Sequence, residues 1–222
     1  MIMTFKSWHF IPVTLFLVLG MLHTPQALAQ TQVDDPSVIE KPPTLTVGDT
    51  FEYKGYRSLD DAKEGRNPRM THVREVTEVY EDGSFRLKTV GGSRYILYNS
   101  TGNIIERNRK DLTKRTYTPS SSSFRYPMKV GDKFNISYYF DRNKIKPDMN
   151  TINRKGTVRV IGWETVTVPA GTFRALRIEV SGDYEVTPIG RSGTFKQIYL
   201  VSPRVKMKPV IYIYKARWEG GR

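Results

Sequence analysis

The chain has 222 residues, enough for one full domain or two small ones. With 38% apolar residues and no cysteine it is neither a disordered chain nor a disulfide scaffold, and it has no thiolate nucleophile. Lys and Arg number 35 against 22 Asp and Glu, a net charge of +13 that favours anionic partners. In chain order, Lys6 is the only charge before the apolar run Phe10–Met21, and Thr24-Pro25-Gln26-Ala27-Leu28-Ala29 ends in a small-x-small site. That is the pattern of a secretory signal peptide, expected over residues 1–29. The run is shorter than the ~20 residues that span hydrocarbon, so the expected product is cleaved, periplasmic or secreted, and not membrane-spanning.

Beyond the leader the sequence reads as short strands between turns. A flexible segment is expected over 30–43, a first β meander over 44–107, a crossover loop over 108–127 and a second meander over 128–219. Phe134, Ile136, Tyr138 and Phe140 alternate with Asn135, Ser137, Tyr139 and Asp141, one face apolar and one wet. Leu176, Ile178 and Val180 oppose Arg177 and Glu179 in the same way. Glu81-Asp82-Gly83-Ser84, Thr101-Gly102-Asn103 and Pro169-Ala170-Gly171-Thr172 supply the turns. The crossover loop carries Ser120-Ser121-Ser122-Ser123 and reads as mobile. The expected fold is all-β: an antiparallel curved sheet, half-barrel or β-roll.

The two meanders echo one another. Leu45-Thr46-Val47-Gly48-Asp49-Thr50-Phe51 recurs in type as Met128-Lys129-Val130-Gly131-Asp132-Lys133-Phe134. Glycine supplies the unusual φ of such a turn, and the aspartate can bond the backbone before a strand begins. Duplication and convergent turn chemistry both account for the echo. Tyr95-Ile96-Leu97-Tyr98 and Val210-Ile211-Tyr212-Ile213-Tyr214 are apolar on both faces, so both faces must be covered or lined.

Gly162-Trp163-Glu164-Thr165-Val166-Thr167-Val168-Pro169-Ala170-Gly171-Thr172-Phe173 resembles the signature of bacterial envelope proteins of the domain-of-unknown-function 3108 type. Tyr199-Leu200-Val201-Ser202-Pro203 is similar to the closing hairpin of that family. The resemblance covers the C-terminal third and implies an exported, β-rich half-barrel or roll with no settled activity.

Catalytic inventory is thin. His9 and His23 leave with the leader, so His72 alone cannot make a zinc site, and no G-x-S-x-G or phosphate-cradling loop is present. Paired carboxylates such as Glu75, Glu78, Glu164 and Glu179 leave a glycan- or polymer-active enzyme as an alternative. The favoured expectation is a non-enzymatic binding or accessory protein for an envelope amphiphile or a partner protein, without a cofactor; a purely structural envelope role is a third reading. Tyr95, Tyr98, Tyr138, Tyr212 and Tyr214 are the candidate ligand-binding residues, each an apolar ring with a hydroxyl. A basic patch is expected from Arg107, Arg109, Lys110, Lys114, Arg115, Arg204, Lys206 and Lys208. It would attract a lipid headgroup or an anionic envelope polymer; with no recognition helix or RNA-binding motif, nucleic acid is not expected.

Overall fold

The computed structural model describes residues 2–6, 37–56, 58–108, 114–141, 151–187, 190–206 and 209–219. The expected leader lies outside the described residues except for positions 2–6. The elements are β1 (Ile2–Lys6), β2 (Val38–Ile39), β3 (Thr50–Tyr56), α1 (Leu59–Glu64), β4 (Met70–Val79), β5 (Phe85–Thr89), β6 (Tyr95–Tyr98) and β7 (Ile104–Asn108). There follow β8 (Lys114–Thr118), β9 (Met128–Lys129), β10 (Lys133–Asp141), β11 (Thr151–Val168), β12 (Gly171–Thr187), β13 (Arg191–Val201) and β14 (Ile211–Glu219). Among the described residues the protein is all-β apart from α1, and every strand pair is antiparallel.

Eleven strands make one curled sheet in the order β14-β13-β12-β11-β10-β8-β7-β6-β5-β4-β3. This body is an open roll. Strand pairing runs around a full circuit only through the five-residue β1, which lies between the edges of β3 and β14. A separate two-stranded pairing joins β2 to β9.

Alternation drives the packing. Ile136, Tyr138, Phe140, Val158, Val160, Ile178 and Val180 are buried on one face and form one core cluster with Tyr117, Tyr184 and Phe195. A second cluster gathers Phe51, Tyr53, Tyr56, Val76, Leu87 and Tyr98 with Val166, Val168, Ala175, Leu200 and Ile211. The long β11–β12 hairpin serves both, because a bulge between Val160 and Gly162 shifts the alternation by one residue. Leu176 therefore stays with the first cluster while Val166, Val168 and Ala175 join the second. The two-faced β14 does likewise: Ile211 and Ile213 pack on one cluster, Tyr214 on the other.

The echoed turns do the same physical work. Asp49 Oδ2 accepts from the Thr46 amide at 2.9 Å, and Asp132 Oδ2 accepts from the Lys129 amide at 2.8 Å. Gly48 and Gly131 both have positive φ, 93° and 92°, and donate to the carbonyls of Val76 and Val160. Each of those valines sits at a β-bulge. Removing the carboxylate in Asp132→Ala therefore costs about 1 kcal/mol, a fall of about 2–4 °C in a thermal melt. An unchanged melting temperature would show that the glycine alone fixes the turn.

Three expectations need correction. The crossover 108–127 contains β8, which hydrogen-bonds to β7 and β10 and makes the two meanders one sheet. Its serines are tied down: the Ser121 hydroxyl accepts from the Ile104 amide at 2.9 Å, and Ser123 is buried. Asn103 clamps the same stretch through both the amide and the carbonyl of Phe124. Within 30–43, Val38 and Ile39 are zipped to Lys129 and Met128 and Ile39 is buried, so that part is docked; 30–36 lies outside the described residues. Finally, α1 was not anticipated. Its start is set by Ser58, whose hydroxyl caps the Asp61 amide, and its end by Gly65 in the left-handed region. No helix among the described residues is long and apolar enough to cross a membrane.

Candidate functional site

The inner face of the roll carries guanidinium groups among tyrosine rings. Strand register places Arg74 on β4, Arg107 on β7, Arg115 on β8 and Arg154 on β11 at inward positions. Arg154 is the residue around which the others organise. Its neighbours on the same alternation are Ile152, Gly156 and Val158, an otherwise uncharged row.

Arg154 donates from Nη2 to the Tyr214 hydroxyl at 2.7 Å and from Nη1 to the Tyr138 hydroxyl at 3.3 Å. Its guanidinium carbon lies 4.8 Å from the Phe195 ring centroid and 5.3 Å from those of Phe140 and Tyr214, all cation–π distances. Arg115 approaches the same Phe140 ring at 4.8 Å. Tyr214 faces Gln197 across the β13–β14 pair, and Gln197 Nε2 donates to the Tyr212 hydroxyl at 2.9 Å. Among the described residues, Arg154 has no carboxylate within 4 Å, and neither Arg154 Nε nor the Gln197 side-chain oxygen has a hydrogen-bond partner.

No carboxylate among the described residues compensates the cation. Burial works against the charge on Arg154, but the Tyr138 and Tyr214 hydroxyls outweigh it and hold the guanidinium protonated. Burial also pushes the Tyr212 phenol up to about 12 and raises Tyr138, against the pull of Arg154. Both phenols are therefore neutral near pH 7 and supply no countercharge. A buried charge is stable when paired, and an orphaned polar atom costs about 1–3 kcal/mol, so the described residues leave this guanidinium without its counter-ion.

An aromatic shelf leads away from it. Arg154 faces Tyr184 across β11–β12, Tyr184 faces Gly193, and Gly193 faces Trp218. A side chain at position 193 would collide with the Tyr184 hydroxyl at 2.6 Å; its absence lets the Tyr184 ring reach Trp218 edge-on at 5.1 Å. Trp218 is 58% exposed. The cleft lined by Pro42, Leu45, Phe85, Phe124 and Val201 holds only about 20 Å³, room for one water.

Of the five expected tyrosines, Tyr138 and Tyr214 meet at Arg154, and Tyr212 is held beside them by Gln197, which faces Tyr214. Tyr98 is on the inner face but buried in the other cluster, stacked on Phe85 at 5.1 Å. Tyr95 is corrected: alternation turns Ile96 and Tyr98 inward, so Tyr95 lies outside, where its hydroxyl bonds Glu106 and Arg86 covers its ring.

The expected basic patch also divides. Lys114 and Arg115 are adjacent on one strand and so face opposite ways, Arg115 buried inside and Lys114 outside with Glu106 at 3.7 Å. Arg107 covers the inward Tyr117 ring at 5.7 Å. Lys206 is held by Asp49 at 2.9 Å, far in sequence, and Arg204 is exposed in a turn. Arg109, Lys110 and Lys208 lie outside the described residues.

Of the four carboxylates considered for glycan chemistry, Glu78, Glu164 and Glu179 sit in ion pairs. Glu78 bonds Arg86 at 2.5 Å, and Arg177 bridges Glu179 at 2.6 Å and Glu164 at 3.6 Å. Burial resists ionisation of Glu179, but Lys196 and Arg177 prevail and hold its carboxyl below the ordinary range, unsuited to a general acid. His72 is half-buried opposite Tyr53, its pKa lowered by burial and by Arg94 and Arg74, so it is neutral at pH 7. Sequence reasoning missed Arg154, Phe140, Phe195 and Trp218. The signal for Arg154 was present: a charge at an inward position of a strand whose other inward residues are apolar or glycine.

The fold and site define an all-β rolled-sheet protein with a cationic aromatic inner face. No family model, no curated protein and no solved structure matches the chain.

Proposed function

We propose that the protein is an exported, non-enzymatic binding protein of the bacterial envelope whose ligand is an anionic amphiphile. The observation that carries the reading is the Arg154 guanidinium, ringed by three aromatic groups and without a carboxylate among the described residues. An acidic headgroup, carboxylate or phosphate, supplies the missing countercharge to the guanidinium. The apolar chain lies over Tyr184 and the exposed Trp218 beside the cluster. The leader pattern over 1–29 and the resemblance to envelope proteins of the domain-of-unknown-function 3108 type support a periplasmic or secreted location.

Isothermal titration with sodium dodecanoate, dodecyl phosphate and uncharged dodecyl maltoside tests this. Both anions bind saturably below their micellar concentrations, and the maltoside binds at least about tenfold more weakly. Arg154→Gln weakens the anions by about 10–100-fold, the loss of one charge-assisted hydrogen bond. Equal affinity for the uncharged head, or an unaffected Arg154→Gln variant, would overturn the proposal.

A further inference from the structure

The sheet has one place where a strand is held by two edges at once. β1 pairs with β3 over five residues, from Ile2 opposite Tyr56 to Lys6 opposite Glu52, and with β14 at Ile2–Ile213 and Met3–Tyr212. The edges of β3 and β14 are thus separated by one strand's width, two sheet spacings or about 9.5 Å. Neither edge carries a proline or a bulge to discourage pairing. The floor beside the gap is apolar: with β1 in place, Tyr53, Tyr56 and Ile211 are 5%, 2% and 0% exposed.

We infer that this gap is a strand-acceptor slot for an extended segment of a partner protein. The inference rests on the exported reading above, because β1 belongs to the leader and departs with it. The body left behind has two facing, unpaired edges beside an apolar core, the arrangement that captures a peptide by strand addition. Register defines what fits. The segment runs antiparallel to both edges, with apolar residues at the two positions opposite Gly55 and Tyr53, where Met3 and Phe5 sit, and polar ones opposite Lys54 and Glu52. The chain's own stretch 30–36, Gln-Thr-Gln-Val-Asp-Asp-Pro, has a single aliphatic residue ahead of its proline and does not meet that pattern, which favours a different protein over a second copy.

The test uses protein recovered after export, its intact mass measured first. A fluorescein-labelled peptide of residues 2–7, Ile-Met-Thr-Phe-Lys-Ser, is the probe, followed by anisotropy. The expected result is a mass lacking 1–29 and saturable binding. Prolines at both positions 3 and 4 weaken binding by at least about tenfold, because adjacent residues aim their amides at opposite edges and one lost N–H must face β3. A mass lacking the leader with no peptide binding, or equal binding of the proline peptide, overturns the slot and leaves the exported reading standing. A retained leader overturns both. Self-association that competes with the peptide would overturn the choice of a partner protein.

Discussion

Gly182→Val lowers the melting temperature by about 6–12 °C, corresponding to about 3 kcal/mol of overpacking in a chain of this size. Gly182 faces Gly156 across β11–β12, and a Cβ at 182 would lie 2.0 Å from the Lys155 carbonyl oxygen and 2.4 Å from the Gly156 Cα. These are backbone atoms of the paired strand, so the conflict is relieved only by pulling the hairpin apart. Gly156 is constrained in the same way but less tightly, with a Cβ 2.5 Å from the Ser181 oxygen. The damage spreads to the site. Gly182 also faces Phe195 on β13, whose ring packs on Arg154. Gly162→Ala is the control, since a Cβ there meets nothing within 4 Å and costs no more than about 0.5 kcal/mol. Differential scanning calorimetry of the two variants checks this, and equal melting temperatures would refute the close approach.

Saturating dodecyl phosphate, at about 100 times its dissociation constant, raises the melting temperature of the wild-type protein by about 5–11 °C. The ligand binds only the folded chain, which adds about 2.7 kcal/mol at that excess. In Arg154→Met the rise disappears, because methionine keeps the bulk between Phe140, Phe195 and Tyr214 but offers no charge. The free variant melts within about 3 °C of wild type: relief of the guanidinium's desolvation offsets the lost bonds to Tyr138 and Tyr214. A free variant that collapses would make Arg154 a structural plug. A shift that persists in the variant would move the anion site elsewhere.

The sheet was legible because alternation is a strong signal when one face is dry. Phe134 to Phe140 and Leu176 to Val180 point where period two places them. The Val-Gly-Asp turns were also readable, since positive φ and a capping carboxylate leave a clear residue pattern. β8 was hidden by its length and by cations: Lys114-Arg115-Thr116-Tyr117-Thr118 does alternate, but its inward residues are an arginine and a tyrosine. α1 is too short to show a period, and only the Ser58 cap announced it. The site was half legible. Tyrosine abundance gave Tyr138, Tyr212 and Tyr214, whereas the convergence of Tyr138 and Tyr214 on Arg154 depends on strands distant in sequence. The same limitation made one patch of cations that the pleat divides between two faces.

Native mass spectrometry of protein recovered gently from the exporting cell addresses the anion site with no assumption about which amphiphile fills it. Wild type and Gly162→Ala should carry an added mass, released on unfolding and identified as an acidic amphiphile, while Arg154→Met should fly bare. A bare wild-type chain, or the same adduct on Arg154→Met, would contradict the role given to that guanidinium.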